Sequence, residues 1–321
     1  MRIGVDLGGT KIELIALGAG GEVLLRQRVA TPQGDYPATL RAVADLVAAA
    51  ERTVGAGATA ASVGVGIPGA ESRASGLIKN ANSTCLIGQA LRQDLQQLLQ
   101  REVRIANDAN CFALSEAIDG AGAGAPVVFG VILGTGVGGG IVIDGKVLTG
   151  ANAIAGEWGH NPLAGDCEDH PPGPLPAEGG DSGSPLRGSA CVALPVCYCG
   201  RRGCIELYLS GPGLAADHRR ATSADFSPAE ITQRAIAGDV DCETTLQRYE
   251  ARLARALATV INLLDPDVIV LGGGLSNIDR LYANVPRLWG EYVFSDQVAT
   301  RLLKHRHGDS SGVRGAAWLW P

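Results

Sequence analysis

The sequence predicts an α/β protein of two related halves with a cleft between them, and three observations carry that reading. A chain of 321 residues is long for a single core, and two domains are the default at that length. The stretch Ile3-Gly4-Val5-Asp6-Leu7-Gly8-Gly9-Thr10 returns 126 residues later as Phe129-Gly130-Val131-Ile132-Leu133-Gly134-Thr135-Gly136. Each copy is an apolar strand running into a Gly/Thr turn and then a second strand. Glycine supplies 45 residues, about twice its usual share, and the excess sits at strand ends, where backbone must approach a ligand closely.

Taken in order, Arg2–Leu7 reads as a buried strand, Gly8-Gly9-Thr10-Lys11 as its turn, and Ile12–Leu17 and Val23–Val29 as the next strands. Two glycines, a threonine hydroxyl and a lysine can wrap phosphate oxygens with backbone N–H groups. The turn leads into a strand rather than a helix, so it is not the Gly-x4-Gly-Lys-Ser/Thr loop. Asp6, just before it, is placed to hold magnesium through the ion's water shell. A plain hairpin would look the same in isolation. The echo at Gly134, Thr135 and Gly136 makes a pair of facing phosphate cradles the better reading.

Pro37–Val54 carries apolar residues at 40, 43, 44, 47 and 50, a helical stripe that belongs to a core. Val63–Ile67 is a strand ending at Pro68-Gly69. The amides of Lys79-Asn80-Ala81-Asn82-Ser83 suit sugar hydroxyls as readily as they suit a turn. Val103–Ala106 is a strand, and Asn107-Asp108-Ala109-Asn110 opens a helix running to about Ile118. Asp108 at a helix N-terminus has its ionised form favoured by the dipole. It reads as an N-cap, as a general base, or as both.

Gly120–Pro126 alternates glycine with alanine before a proline and marks a domain junction. The expected domains are 1–120, completed by a closing helix over 310–321, and 121–309. From Ala164 to Val196 the chain is rich in Pro, Gly, Ser and acids without a period, and an exposed, mobile loop is expected. Leu246–Leu264 is a long helix, Asp267–Leu271 a buried strand, and Ser310–Trp320 the closing helix. Gly272-Gly273-Gly274 after that strand would let a flat base or ribose lie against backbone.

Metal-ligand chemistry appears in a split cluster. His160 is followed 37 positions later by Cys197-Tyr198-Cys199-Gly200-Arg201-Arg202-Gly203-Cys204. Three thiolates and one imidazole form a complete tetrahedral zinc set, and with no open position such a zinc is structural. The cluster also brings Glu157 and Glu206 to one place.

Composition excludes several classes. A net charge of -6 and pI near 5.4 argue against nucleic-acid or anionic-membrane binding. No apolar run is long enough for a membrane span, and Met1–Gly9 has no leader pattern. Eight cysteines, five of them scattered, fit a reducing compartment, and a cytoplasmic location is expected.

Together the motifs resemble a bacterial sugar kinase of the ROK family, within the hexokinase–actin ATPase superfamily. The matching stretches are Asp6-Leu7-Gly8-Gly9-Thr10-Lys11, Gly66-Ile67-Pro68-Gly69, Asn107-Asp108-Ala109-Asn110, Gly134-Thr135-Gly136, His160 with its three cysteines, and Gly272-Gly273-Gly274. The resemblance implies an actin-like ATPase (ribonuclease H-like) fold with a duplicated βββαβα core. It also implies transfer of the ATP γ-phosphoryl group to a hexose, with Asp108 as general base. Gly69, Asn82, Asn107, Glu157, His160 and Glu206 would hold the sugar. Asp6, Gly8 to Lys11 and Gly134 to Gly136 would hold Mg-ATP phosphates, with Gly272 to Gly274 near the adenosine and zinc on His160, Cys197, Cys199 and Cys204. Within the family, Lys79–Thr84, Glu157–Pro162 and His307–Trp320 look most like the proteobacterial fructokinases, which implies the 6-hydroxyl of fructose as acceptor. Glucose, mannose and N-acetylglucosamine are the alternatives, since a few hydroxyl contacts decide among them. Family members are commonly dimers, so a homodimer is expected. A repressor of the same family would carry a helix-turn-helix before the first hairpin, whereas here the first strand starts at residue 2.

Overall fold

A computed structural model of the chain describes residues 1–55, 61–81, 83–163, 194–308 and 311–321. The first half opens with strands β1 (Arg2–Leu7), β2 (Lys11–Leu17) and β3 (Val23–Ala30), helix α1 (Tyr36–Val54) and strand β4 (Ser62–Ile67). A ribbon of β5 (Ala70–Glu71) and β6 (Ile78–Lys79) follows, then helix α2 (Leu91–Leu99), strand β7 (Val103–Asn107) and helix α3 (Asp108–Ile118). The second half begins with β8 (Val127–Leu133), β9 (Val137–Ile143) and β10 (Lys146–Val147). Helices α4 (Glu206–Leu209), α5 (Gly211–Thr222), α6 (Pro228–Ile236) and α7 (Val240–Leu264) come next. Strand β11 (Val268–Gly272), helix α8 (Leu281–Leu288), strand β12 (Arg301–Lys304) and helix α9 (Ser311–Ala317) end the chain.

The duplication is plain in the sheets. One has the order β3-β2-β1-β4-β7 and the other β10-β9-β8-β11-β12. In each, the first three strands pair antiparallel and the last two join parallel to the first. The 126-residue offset holds at both ends of the turn, because Leu7 and Leu133 close the first strands while Lys11 and Val137 open the second.

Close packing of small residues sets the relation between the sheets. Helix α9 lies on the first sheet, where a Cβ at Gly4 would stand 2.1 Å from Val313 O and one at Gly64 1.9 Å from Ala316 O. Contacts that short exclude any side chain at either position. Helix α3 is shared. Its Cys111 backbone abuts Gly315 of α9, while Phe112, Ala113 and Ala117 cluster with Val128, Val142, Val268 and Val270 of the second sheet. Asp108, at the first turn of α3, is therefore held between the halves.

The expected elements return with their ends moved. Helix α7 starts at Val240, six residues before the expected Leu246, because Asp241, Glu243, Thr244 and Thr245 obscure the apolar stripe there, although Cys242 is buried in the core. Asp239 caps it, accepting from Asp241 N and Cys242 N. The apolar pattern does not single out α2, α6, α8 or β12, which are too short for a period to repeat, or α5, which opens on Gly211-Pro212-Gly213 and carries few large apolar residues. Most of the expected loop, residues 164–193, lies outside the described residues, as does Asn82. No described helix is long and apolar enough to cross a membrane.

Candidate active site

The glycines of β9 build the centre of the site. A Cβ at Gly140 would stand 2.6 Å from Ala109 O, so β9 admits the first turn of α3 on one face. On its other face a Cβ at Gly139 would meet Gly156 O at 2.7 Å, and one at Gly159 would meet Val137 O at 2.2 Å. Trp158 fixes that segment by donating from Nε1 to Gly138 O (3.2 Å) and by an edge-on contact with Phe129. Strand β9 thus clamps Asp108 and Glu157 from opposite sides of one backbone. Asn107, rather than Asp108, is the N-cap of α3 and accepts from Ala109 N at 2.9 Å. Its amide donates to Gly69 O (3.3 Å), bringing two expected sugar contacts together.

Carboxylates gather here. Burial, opposed by the Ala109 N–H and reinforced by the charge of Glu157, pushes Asp108 up to about 6. Burial and the charge of Asp108 raise Asp6 to about 6 as well. Burial raises Glu157 too, with His160 and Lys79 pulling the other way and Glu206 adding to the rise. Two buried carboxylates sharing a cavity resist ionising together, and a divalent cation would relieve that resistance. The donor set therefore fits magnesium. A base must be ionised to accept a proton, so activity should vanish on the acid side. With saturating Mg-ATP the cation favours the ionised carboxyl, so we expect kcat/KM for the acceptor to fall about tenfold per pH unit only from a point below about 6. A fall that already begins above pH 6 would contradict that relief by magnesium.

His160, Cys197, Cys199 and Cys204 converge, with one ligand atom of each within 4.8 Å of all the others. Cys197 Sγ lies 3.7 Å from His160 Nδ1, and Cys199 Sγ lies 3.7 Å from Cys204 Sγ. Four ligands at zinc bond lengths would be separated by about 3.8 Å, so the cluster fits that ion. Backbone pairing assembles it: Leu163 N donates to Gly203 O and Ile205 N to Asn161 O, while Gly200 N closes a turn onto Cys197 O. Glu206 follows at once and accepts from Val137 N (3.0 Å), tying the cluster to the second hairpin. That bond takes up one of the two oxygens expected for the sugar.

His160 departs from expectation in a similar way. With Nδ1 turned to the thiols, Nε2 lies 3.1 Å from the Tyr198 hydroxyl. A metal on Nδ1 leaves the proton on Nε2, which then donates to the phenol. The nitrogen expected to face the sugar is thus shared with a tyrosine held between two cluster cysteines. Tyr198, His160, Glu157, Asn161 and Asn80 line one cavity of about 1060 Å³.

The region of the glycine turns divides similarly. Asp6, Gly8, Asp108, Gly273 and Gly274 share a cavity of about 560 Å³. Gly134 and Thr135 line a more apolar one of about 760 Å³ that also reaches Gly274. Gly9, Thr10 and Lys11 are exposed on the first turn, and Gly136 faces the Glu206 carboxylate. Gly272 corrects the expectation. It is buried as the last residue of β11, and its missing side chain leaves room for the Phe112 ring rather than for a nucleoside. Asn161, Tyr198, Asn277 and His305 line these cavities without having been expected. The first two adjoin motif residues, a usable signal; Asn277 and His305 have none.

Comparison with known proteins gives a consistent picture. The ROK family model matches residues 2–321. An N-acetyl-D-glucosamine kinase of Erwinia tasmaniensis is 42% identical over 99% of each chain. A ROK hexokinase structure from Thermus thermophilus superposes with a TM-score of 0.80 at 29% identity, covering 99% of this chain and 96% of that one. A ROK glucokinase from Streptomyces griseus, in complex with glucose and AMPPNP, gives 0.72 at 26% identity, covering 99% and 98%.

Proposed function

Because the chain belongs to the ROK family, we propose that it is an ATP-dependent sugar kinase whose acceptor is N-acetyl-D-glucosamine, with Asp108 as general base. The observation that carries the catalytic reading is the position of Asp108. It lines the cavity shared by the first hairpin turn and the Gly273-Gly274 turn, and the charge of Glu157, from the neighbouring cavity, acts on it. Phosphoryl transfer asks for positioning and charge neutralisation more than covalent chemistry. Asp108 takes the proton of the acceptor hydroxyl as its oxygen bonds to the γ-phosphorus and ADP leaves. Asp6 and the turns Gly8–Lys11 and Gly134–Gly136 would hold the phosphates, Asp6 would bind magnesium, which would neutralise their charge, and Gly273 and Gly274 would lie under the nucleoside. Gly69, Asn107, Glu157, His160 and Glu206 shape the sugar site. Zinc, bound by His160, Cys197, Cys199 and Cys204, would hold His160 and Glu206 in place and take no part in the transfer.

The acceptor is the finer point. The fructokinase likeness in the motifs favours fructose, while relatives at 39–42% identity named N-acetyl-D-glucosamine kinase favour the amino sugar. Whole-chain identity weighs more than three short stretches. A coupled ATP-to-ADP assay over N-acetylglucosamine, glucose, mannose and fructose should give kcat/KM highest for the first by roughly tenfold or more. A lead for fructose would return the acceptor to that sugar, and no turnover with any of the four would overturn the kinase reading.

A further inference from the structure

We infer that His305 is a nucleotide-binding residue, a neutral imidazole that donates its Nε2–H to a phosphate oxygen of ATP at the nucleoside end of the chain. The inference rests on the kinase reading and adds a contact that no motif supplies.

His305 follows β12, and its backbone N donates to Leu271 O at 3.0 Å, which sets it level with the end of β11 beside Gly273. There it lines the cavity of about 560 Å³ that runs from Asp6 and Gly8 to Gly273 and Gly274. Gly308 N donates to His305 Nδ1 at 2.8 Å. A backbone N–H can only donate, so Nδ1 is the unprotonated acceptor and the single imidazole proton sits on Nε2. That N–H has no hydrogen-bond partner among the described residues. Among the described residues it is a fixed donor left unspent, between the hairpin that holds phosphate and the glycines that hold the nucleoside.

The surrounding loop does not depend on this histidine alone. Glu116, fully buried, accepts from Arg306 N, His307 N and the Ser311 hydroxyl. His305 can therefore be altered without releasing the loop.

The test separates a ligand contact from a loop anchor. In His305→Asn the side-chain oxygen takes the place of Nδ1 and keeps the Gly308 bond, but nothing donates at the Nε2 position. In His305→Gln the amide nitrogen reaches the Nε2 position, and the Gly308 bond is lost. Calorimetric titration with Mg-AMP-PNP should show the Asn variant weakened about tenfold and the Gln variant within about threefold of the unaltered chain, as the loss of one charge-assisted bond predicts. KM for ATP should follow the same order, with KM for the sugar unchanged in both. The reverse order, Gln impaired and Asn normal, would show a loop anchor and overturn the inference; equal behaviour of the two would overturn it too. Absence of Mg-AMP-PNP binding by the unaltered chain would instead remove the kinase reading, and this inference with it.

Discussion

Asp108→Asn is expected to lower turnover by roughly 10²–10⁴, the range that a positioned base contributes, and to leave sugar and nucleotide affinities near their starting values. The amide keeps the shape of the carboxyl and the magnesium-neutralised phosphate site, but it cannot take the acceptor proton. The same change should stabilise the fold. Asp108 is pushed from 3.8 to about 6 mainly by burial, so the fold favours its protonated form. Its contribution is most favourable below the unfolded value near 3.8 and is lost as the pH rises through about 6. At neutral pH the ionised group costs roughly 2–3 kcal/mol, which the neutral amide avoids. Thermal melts should place the Asn variant above the original chain at pH 7.5, with the gap closing toward pH 4. Near-normal turnover would contradict the role as base, and a lower melting point at neutral pH would contradict the gain in stability.

Loss of the metal cluster is the second large effect. One zinc per chain is expected by elemental analysis of gently purified protein. Cys197→Ser, or a strong chelator, should lower the melting temperature and raise KM for the sugar well before Mg-AMP-PNP binding suffers. In zinc-finger peptides the bound ion is worth about 10–16 kcal/mol, but here it would close one loop beside a large apolar core. Only part of that energy should appear in global unfolding. The coupling runs through Glu206, which follows Cys204 by two residues and holds Val137 N of the second hairpin. Without metal, burial and the neighbouring thiols push Cys204 up to about 12. Binding must displace protons, so zinc affinity should fall as the pH is lowered. A chain that purifies without zinc and keeps its sugar affinity would refute the assignment.

Short-range patterns determined a good deal. The two strand–turn–strand copies, the helix after Asn107 and the run of Cys197, Cys199 and Cys204 are local, and each survives in the structure as an element or a cluster. Local patterning succeeds there because turn chemistry, strand apolarity and the cysteine spacing are written within a few residues of one another, whereas His160 joins its cysteines from 37 positions away. Gly272 shows where it stops. A glycine required by packing against Phe112 reads the same as one required by a ligand, because only the neighbour across the fold tells them apart. His305 is the opposite case: nothing near it in sequence marks it, and a parallel strand pairing 33 residues away carries it to the cavity. The approach of Asp108 and Glu157 to opposite faces of one strand was decided in the same manner, by glycines in β9 that admit backbone on both sides. The sequence by itself determined which chemical groups are available and the duplicated frame that bears them. Only the tertiary structure decided which groups face one another, because long-range contacts follow from close packing across elements, and no local window contains both partners.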